Sequence, residues 1–444
     1  MNAKKYSHTL GGKTFQIELN NWAEQASGSV LVRLGDTLVL ATAVMGAARE
    51  GADFLPLTID YEEKFYAAGK ILGSRFIKRE TRPSEEAILA MRLIDRTVRP
   101  RFDLTMRNEI QVVVTVLSID EDNDPDMPAL LASSLALSLS DIPWDGPVAG
   151  VRIGGRRTDF ILNPGYPERE AGNFDIVISG TADRINMMEA GANEISEENY
   201  AAAVEWGFAF IKELIQFQQK IISENNREKI SVPLLELPDS WRKLLKKEFS
   251  ARIEEAVYQE NKKNMRESLA AVKSEWLGKA VEKFPEKFKK PAAEFLFEEE
   301  INEIIHRRII EKSERPDGRR PDELRSLSAS VAVLPRVHGS GLFMRGETHA
   351  LSTLTLGAPG DAQIVEGMEI RAKKRFLHHY NFPPYSTGET KPLRGPGRRE
   401  IGHGALASKA LLPIIPGKDD FPYTIRIVSE ILSSNGSSSM ASVC

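Results

Sequence analysis

The chain contains one pattern twice: Gly28-Ser29-Val30-Leu31-Val32-Arg33-Leu34-Gly35-Asp36-Thr37 and Gly339-Ser340-Gly341-Leu342-Phe343-Met344-Arg345-Gly346-Glu347-Thr348. Each version predicts a strand, a tight turn at Gly-Asp or Gly-Glu, and a longer strand of alternating apolar residues, which is the pattern of a β-hairpin. The glycines, the acid and the threonine match in order without a gap. A duplication explains this better than two hairpins that are alike by chance.

A second block repeats in the same order, Tyr61 through Tyr66 to Gly69 and Tyr380 through Tyr385 to Gly388. Between the copies, Ser196-Glu197-Glu198 predicts the start of a long amphipathic helix, and the stretch from about Trp241 to Lys312 is rich in Lys and Glu and predicts further helices. The sequence therefore predicts an α/β (α+β) protein. Its predicted parts are a first copy at 1–145, a linking region with an all-helical domain at 146–312, and a second copy at 313–444 that is incomplete.

Composition gives few constraints on function. The 444 residues are 41% hydrophobic and 27% charged, with a formal net charge of −4, as in ordinary soluble globular proteins. No global excess of positive charge indicates a nucleic-acid binder, although a local basic surface remains compatible with these numbers. The single cysteine, Cys444, cannot form an internal disulfide, and no apolar run reaches membrane-spanning length. We therefore expect a cytoplasmic protein without a membrane segment.

The first copy carries a candidate surface for single-stranded RNA. A helix is predicted from the N-cap Ser84 to about Arg99, and three arginines lie on one of its faces: Arg92, Arg96 and Arg99. Just upstream, a basic loop from Arg75 to Arg82 includes an aromatic residue, and its candidate RNA-binding residues are Phe76, Lys78 and Arg79. Positive charges can follow the phosphates while the ring stacks on a base. The alternative for the helix is a solvated face with an Asp95–Arg99 ion pair.

The second copy carries a candidate phosphate site. Arg398 and Arg399 offer two guanidinium groups, and His403 follows among glycines. Farther along, an alternating strand from Tyr423 to Leu432 leads into a glycine turn followed by three serines, Ser437, Ser438 and Ser439. Backbone N–H groups and hydroxyls at such a turn can bind an anion. The alternatives are a packing role for His403 and a plain tail of small residues for the serines.

Several longer blocks carry a resemblance to a known family. They are Tyr66 to Lys70, Arg92 to Arg96, His379 to Ser386, Arg398 to Gly404, and Ser434 to Cys444. Together they resemble the bacterial polynucleotide phosphorylases along essentially the whole chain. The resemblance implies two ribonuclease-PH-type units of β-α-β-β type in a homotrimeric ring around an RNA channel. It also implies the reaction, in which inorganic phosphate attacks the 3′-terminal phosphodiester of RNA and releases a nucleoside diphosphate in mRNA degradation.

By this resemblance, each candidate residue acquires an expected role. Ser437, Ser438 and Ser439 would hold the attacking phosphate. The last phosphates and the ribose of the RNA would be held by Arg398, Arg399 and His403. The RNA contacts in the channel and on the first copy would come from Phe76, Lys78, Arg79, Arg92, Arg96 and Arg99. The channel loop reads Phe-Ile-Lys-Arg where the family usually has two aromatics and two arginines, so we expect weaker base stacking there. The Asp122-Asn123-Asp124-Pro125-Asp126 segment stands near the place of the serines in the first copy, and we expect its acids to repel phosphate.

The resemblance also implies Mg²⁺ as cofactor, with ligands that lie beyond Cys444 and none in this chain. The adjacent His378 and His379 on a predicted strand point to opposite faces and are not expected to share a metal. Because the expected Mg²⁺ ligands lie beyond Cys444, we expect this chain to be a fragment of the enzyme that is inactive alone. We expect the full-length protein to take part in an RNA-degradation complex. The alternatives are a non-catalytic RNA-binding or ring-scaffold protein and a hydrolytic relative that uses water in place of phosphate.

Overall fold

The first copy forms a six-stranded sheet. The computed structural model describes residues 3–20, 22–49, 51–73, 76–225, 227–259, 261–369 and 371–444. The six strands are β1 Lys4–Leu10, β2 Lys13–Leu19, β3 Gly28–Leu34, β4 Thr37–Ala48, β5 Leu57–Glu62 and β6 Asn108–Ser118. Their order is β1-β2-β3-β4-β6-β5, and only the β5–β6 pair is parallel. The repeated hairpin is the β3–β4 pair, with Gly35 in the left-handed conformation at its turn.

Two helices belong to the first copy, one between β5 and β6 and one after β6. The helix α1 spans Glu85–Val98, and Ser84 caps it by accepting a hydrogen bond from the Ala87 amide at 2.9 Å, as the sequence predicts. The helix α2 spans Asp126–Leu139 and is buried over every residue after the first. It packs against β3 and β4 on one side and against a second sheet on the other, which explains why its sequence is apolar all round.

The second sheet lies in the segment that the sequence analysis treated as a linking region, and it was not anticipated. Its strands are β7 Ala149–Arg156, β8 Asp159–Leu162, β9 Phe174–Gly180 and β10 Ile185–Ala192, in the antiparallel order β10-β9-β7-β8. A short helix, α3 Tyr166–Ala171, precedes β9, and the long helix α4 Glu197–Asn225 packs on β7 and β9. One hydrophobic core runs through both sheets.

Three helices form a separate bundle, called the helical insert below. They are α5 Asp239–Val257, α6 Lys262–Lys283 and α7 Lys290–Lys312. Trp241, Trp276 and Phe297 are buried in its own hydrophobic core, so the insert folds around a centre distinct from that of the sheets. None of the helices formed by the described residues combines the length and apolar composition that crossing a bilayer requires.

The second copy repeats the sheet of the first. Its strands are β11 Leu327–Val331, β12 Gly339–Arg345, β13 Thr348–Gly357, β16 Phe376–Asn381 and β17 Thr424–Ser433, in the order β11-β12-β13-β17-β16. The parallel pair is again at the end, and the helices α8 Arg398–Leu411 and α9 Ser438–Val443 take the places of α1 and α2. The structure confirms the predicted α/β class and the duplicated order of elements.

A small hairpin of the second copy packs on the first copy. Its strands are β14 Gln363–Glu366 and β15 Arg371–Lys374. Met368, in its turn, is buried in the first core, and its carbonyl accepts a hydrogen bond from Lys70 at 3.1 Å. Tyr166 donates to Glu369 at 2.9 Å. The hairpin therefore contributes to a contact between the copies that sequence separation gave no means of predicting.

Candidate active site

The equivalent helices of the two copies, α1 and α8, pack against each other and bring their positive charges together. Arg92 on α1 crosses Gly402 on α8, where a β-carbon would lie 2.5 Å from the Arg92 Nε atom. A larger residue at Gly402 would displace the guanidinium, so the glycine permits the close approach. Arg92 is partly buried, and its pKa is lowered first by burial and then by the positive charge of Arg96.

The two adjacent arginines at the start of α8 have different neighbours. Arg398 donates to the Ile59 carbonyl at 2.9 Å and to the Asp60 carboxylate at 2.6 Å, both on β5 of the first copy. The guanidinium carbon of Arg399 lies 4.8 Å from the ring centre of Phe382. Stacking on a ring orients a guanidinium and leaves its N–H edges available to an anion. Arg399 is therefore the better placed of the two to bind a phosphate group.

His403 lies one helical turn after Arg399 and is surrounded by positive charge. Its ring makes an edge-to-face contact with Tyr380, with 5.1 Å between ring centres. Burial first, and then the positive charges of Arg399, Arg92 and Arg96, together lower the pKa of His403 to about 4. The imidazole is therefore neutral at pH 7 and has one N–H to donate. Its Nδ1 atom is buried and meets no hydrogen-bond partner in the part of the chain that the structure describes.

The three serines form a turn that leads into α9; we call Asn435–Ser439 the serine turn. Gly436 and Ser437 have φ angles of +84° and +48°, and the helical conformation begins at Ser438. Successive left- and right-handed residues direct neighbouring N–H groups toward one point, which is a geometry that binds anions. Ser437 is exposed, whereas Ser438 and Ser439 are buried.

Tyr380 connects the serine turn to α8, the helix that carries Arg399 and His403. Its hydroxyl lies 2.6 Å from the hydroxyl of Ser438, while its ring contacts His403. Phe382, which directly follows β16, stacks on Tyr380 with 6.3 Å between ring centres and supports Arg399. The sequence does not predict a role for these two aromatic residues at the site, although an i, i+2 spacing at the end of a predicted strand favours a common face. They place Arg399, His403 and Ser438 around one site.

Arg99 is engaged elsewhere. It makes two hydrogen bonds to the Asp95 carboxylate, at 2.6 and 3.1 Å, and a third to the Leu57 carbonyl at 2.9 Å. The structure thus shows the Asp95–Arg99 pair that the sequence analysis kept as an alternative. Arg92 and Arg96, which lie on α1, help to lower the pKa of His403, whereas Arg99 directly follows the helix and binds Asp95.

The predicted channel loop lies at the surface of the first copy. Phe76 has 88% of its surface exposed, and Lys78 and Arg79 are also exposed. Glu80 closes the base of the loop by accepting a hydrogen bond from the Phe65 amide at 2.7 Å. Arg75, which the sequence analysis included in this basic loop, lies outside the described residues. The exposed side chains are accessible to a partner, and their role in binding RNA stays a prediction.

The first copy has a turn equivalent to the serine turn. The Thr37 hydroxyl donates to the Asn123 carbonyl at 2.7 Å, and the Thr348 hydroxyl donates to the Gly436 carbonyl at 3.2 Å. Thr37 and Thr348 are the matching threonines of the repeated hairpin, so Asn123 corresponds to Gly436. This register places Asp124–Asp126 where the second copy has its serines.

In the first copy, arginines neutralise these acids. Arg152 donates to Asp126 at 2.8 Å and forms an ion pair with Asp124 at 3.1 Å. Arg169 also binds Asp124, and both arginines bind Asp175. The sequence analysis treated the acids as groups that repel phosphate from an open site. The structure adds that the carboxylates are already bound by the protein's own guanidinium groups.

The paired histidines on β16 follow the predicted alternation. His378 is buried with its Nε2 atom 2.9 Å from the Ser429 hydroxyl, and His379 contacts Arg426 on the other face. Burial lowers the pKa of His378 to about 4. Across the described ranges, no group of three or more His, Cys, Asp or Glu residues is arranged to hold a metal ion.

Sulfate binding should raise the pKa of His403 from about 4. A nearby anion favours the imidazolium, so sulfate and the proton should bind more tightly together than separately. Without the anion, the depressed pKa makes the folded state lose stability as the pH falls from 6.5 toward 4, because the unfolded chain binds the proton more tightly. Titration of the imidazole by NMR, with and without sulfate, measures this. His306 on α7 serves as the control, and an unchanged His403 titration would contradict the expectation.

Comparison with family models places this geometry among known proteins. The description "3′ exoribonuclease family, domain 1" matches residues 11–143 and again residues 323–444, and domain 2 of the same family matches residues 146–209. The chain belongs to the 3′ exoribonuclease family. The two domain 1 matches correspond to the two copies, and the domain 2 match begins at the unanticipated four-stranded sheet and ends within α4.

Curated members of the 3′ exoribonuclease family resemble this chain along its length. A polyribonucleotide nucleotidyltransferase of Anoxybacillus flavithermus is 49% identical over 440 residues, and one of Bacillus cytotoxicus is 48% identical over 439 residues. Each alignment covers 99% of this chain and 62% of the relative, so the chain spans about three fifths of the relatives' length. Among solved structures, rice (Oryza sativa) Rrp46 aligns with a TM-score of 0.38 and 17% identity, over 50% of this chain and 94% of its own.

Proposed function

We propose that this chain carries the phosphate- and RNA-binding part of a phosphorolytic 3′-to-5′ exoribonuclease, a polyribonucleotide nucleotidyltransferase. The observation that supports this most strongly is the arrangement around Tyr380, which contacts both His403 and Ser438. The serine turn, which is suited to one oxyanion, lies on one side of Tyr380. The helix α8, whose Arg399 and His403 are suited to a second oxyanion, lies on the other side. Phosphorolysis needs these two anions side by side, the attacking phosphate and the terminal phosphodiester.

In the proposed reaction, an oxygen of inorganic phosphate attacks the phosphorus of the 3′-terminal phosphodiester. The bond from that phosphorus to the 3′-oxygen of the preceding nucleotide breaks, this oxygen takes up a proton, and a nucleoside diphosphate leaves. The amides and hydroxyls of Ser437, Ser438 and Ser439 bind the attacking phosphate. Arg399 binds the terminal phosphate of the RNA, and neutral His403 donates to it or to the ribose. Positioning and charge neutralisation are the main contributions that a protein makes to such a transfer.

Other residues support this arrangement. Arg398 fixes the start of α8 to β5 through Asp60, and Arg92 and Arg96 add positive charge along the RNA path. Phe76, Lys78 and Arg79 contact the RNA farther from its end. We include Mg²⁺ among the requirements of the reaction by resemblance only. Because the described residues offer no cluster suited to a metal, none of the steps above is assigned to one.

We also propose a substrate, an assembly, a location and a cellular role for this reaction. They are single-stranded RNA as substrate, a homotrimeric assembly, a cytoplasmic location, a role in mRNA degradation, and membership of an RNA-degradation complex. That this 444-residue chain is inactive alone stays a prediction. An assay with RNA, phosphate and Mg²⁺ tests it, and robust release of nucleoside diphosphates would contradict it.

Phosphate binding to the chain tests the proposed function directly. Replacing Ser438 and Ser439 together by alanine should weaken phosphate binding by about tenfold or more, because it removes two hydroxyls from the anion's neighbourhood. Isothermal titration calorimetry of both proteins measures the dissociation constants, with Ser328→Ala on the exposed strand β11 as the matched control. Equal phosphate affinity in all three proteins would refute the assignment. In an active form, the double variant should lose phosphorolysis, whereas a hydrolytic relative would still release nucleoside monophosphates.

A further inference from the structure

Four successive carbonyl groups, that of Ser434 and the first three of the serine turn, are bound by positively charged side chains. Lys262 donates to the Ser434 carbonyl at 2.7 Å, and Arg325 donates to the Asn435 carbonyl at 3.0 Å. Arg345 donates to the next two carbonyls, those of Gly436 and Ser437, at 3.1 Å each. The carbonyls of one short loop are thus held by three cations.

This pattern of hydrogen bonds determines the direction of the amides. A trans peptide group points the C=O of one residue and the N–H of the next in opposite directions, so carbonyls held on one side leave the N–H groups of Gly436, Ser437 and Ser438 for the other side. The Asn435 N–H is already donated to the Thr348 hydroxyl at 3.0 Å. Charge-assisted hydrogen bonds are about twice as strong as neutral ones, which makes this restraint firm. The cations also lie on the side away from the expected anion, and their charge favours an anion across the turn.

The three cations come from three different parts of the chain. Lys262 is the first residue of α6 in the helical insert, Arg325 precedes β11, and Arg345 ends β12. Gly346 makes room for Arg325, since a β-carbon there would lie 2.9 Å from its Cδ atom. None of the three would be grouped with the serines by sequence distance.

The first copy lacks the equivalent of Arg345. The repeated hairpin aligns Arg345 with Leu34, which is buried in the core of the first copy. The first copy also has carboxylates in its turn. They are bound by Arg152 on β7 and by Arg169 on α3. At this position of the repeated hairpin, the copy with serines therefore has an arginine and the copy with its own acids has a leucine.

The partly buried surroundings of Lys262 disfavour its positive charge. Burial lowers its pKa, as does the positive charge of Arg266, while Glu347 opposes this. The adjacent Lys263 is exposed and lies 4.0 Å from Glu267 within the same helix. The two neighbouring lysines thus provide a matched pair, one holding the loop and the other in solvent.

We propose that Lys262, Arg325 and Arg345 are positioning residues that set the serine turn for phosphate, and that the helical insert takes part in phosphate binding through Lys262. This inference rests on the proposed function of the serine turn. It assigns the insert a role in the site, in addition to folding around its own core. This assignment depends on Lys262, because its side chain joins the insert to the loop by donating to the Ser434 carbonyl.

Calorimetric titration of the chain with inorganic phosphate tests the inference. Lys262→Met should weaken phosphate binding by about tenfold, the loss expected when one charge-assisted hydrogen bond no longer holds the binding geometry. Lys262→Arg should restore most of the affinity because it retains a charged donor, and Lys263→Met should bind phosphate as the unaltered chain does. Amide hydrogen exchange should become faster at residues 434–439 in Lys262→Met alone.

The outcomes of these titrations distinguish phosphate binding by the serine turn from the positioning role of Lys262. If the unaltered chain bound no phosphate, the proposed function and this inference would both be wrong. If the Ser438/Ser439 double variant lost phosphate binding while Lys262→Met kept it, the proposed function would stand and the positioning role would be rejected. If Lys262→Met and Lys263→Met weakened binding equally, the effect would come from general charge, and the inference would also be rejected. Unchanged thermal unfolding of Lys262→Met, together with rescue by arginine, excludes a folding defect as the cause.

Discussion

Replacing Arg152 by methionine should lower the free energy of unfolding of the first copy by about 3–5 kcal/mol, the cost typical of removing one partner from a buried ion pair. The Arg152 side chain is only 8% exposed and forms ion pairs with three carboxylates, those of Asp124, Asp126 and Asp175. Without it, Arg169 alone would balance Asp124 and Asp175, and Asp126, whose pKa is raised to about 8 mainly by burial, would lose its ion pair. Carboxylates held together in a protein interior without sufficient positive charge are destabilising because they repel one another and have lost their hydration.

Urea unfolding at pH 7, followed by hydrogen exchange of the β7 and β9 amides, measures this change. The matched control is Arg184→Met, because Arg184 is 85% exposed and its ion pair with Asp183 spans 3.6 Å. The control should cost no more than about 1 kcal/mol, as exposed pairs contribute little. A loss in Arg152→Met as small as that of the control would show that the network is not what holds this part of the protein together.

Replacing Arg399 by methionine should weaken the binding of a short single-stranded RNA by about 10- to 100-fold, or 1.4 to 2.8 kcal/mol. Arg399 is exposed, oriented by the ring of Phe382, and adjacent to His403, so few other groups can take over its contact. The variant should fold normally, since the guanidinium makes no ion pair within the described part of the chain that its loss would leave unbalanced.

Fluorescence anisotropy with a labelled oligoribonucleotide measures this affinity at several salt concentrations. If Arg399 contacts one phosphate, the slope of log affinity against log salt should become shallower by about 0.7, the value for one charge on a single strand. Arg320→Met is the control, because Arg320 is 75% exposed and paired with Asp322 on a loop before β11. An unchanged affinity and slope in Arg399→Met would remove Arg399 from the RNA site.

Much of the fold could be predicted because it depends on local patterns. The repeated hairpin, the N-cap at Ser84 and the amphipathic start of α4 each determine structure within a few residues, and the structure confirms all three. The order of the five strands that the two sheets share follows from the duplication, and the first sheet has β1 in addition. The four-stranded sheet was not predicted, since its strands are short and β7 and β9 are buried nearly throughout, so they lack the alternation that marks a half-exposed strand.

The candidate site could be predicted only in part, because its residue types were visible and their neighbours were not. Arg92 and Arg99 lie on the same predicted helix face, yet one approaches α8 and the other binds Asp95. Arg398 and Arg399 are adjacent in sequence, but contact a strand of the other copy and an aromatic ring of their own copy. The contacts of Arg92 and Arg398 join residues that are hundreds of positions apart, which no local pattern records.

The equivalent turns of the two copies differ in how their folding should respond to solutes. In the first copy, the anions facing Arg152 and Arg169 are part of the polypeptide, so their local concentration is fixed by the chain itself. In the second copy, on the proposed function, the anion comes from solution, and each tenfold rise in phosphate above its dissociation constant should add about 1.4 kcal/mol of stability by mass action. One half of the duplication would thus keep constant stability while the other follows the phosphate supply of its surroundings.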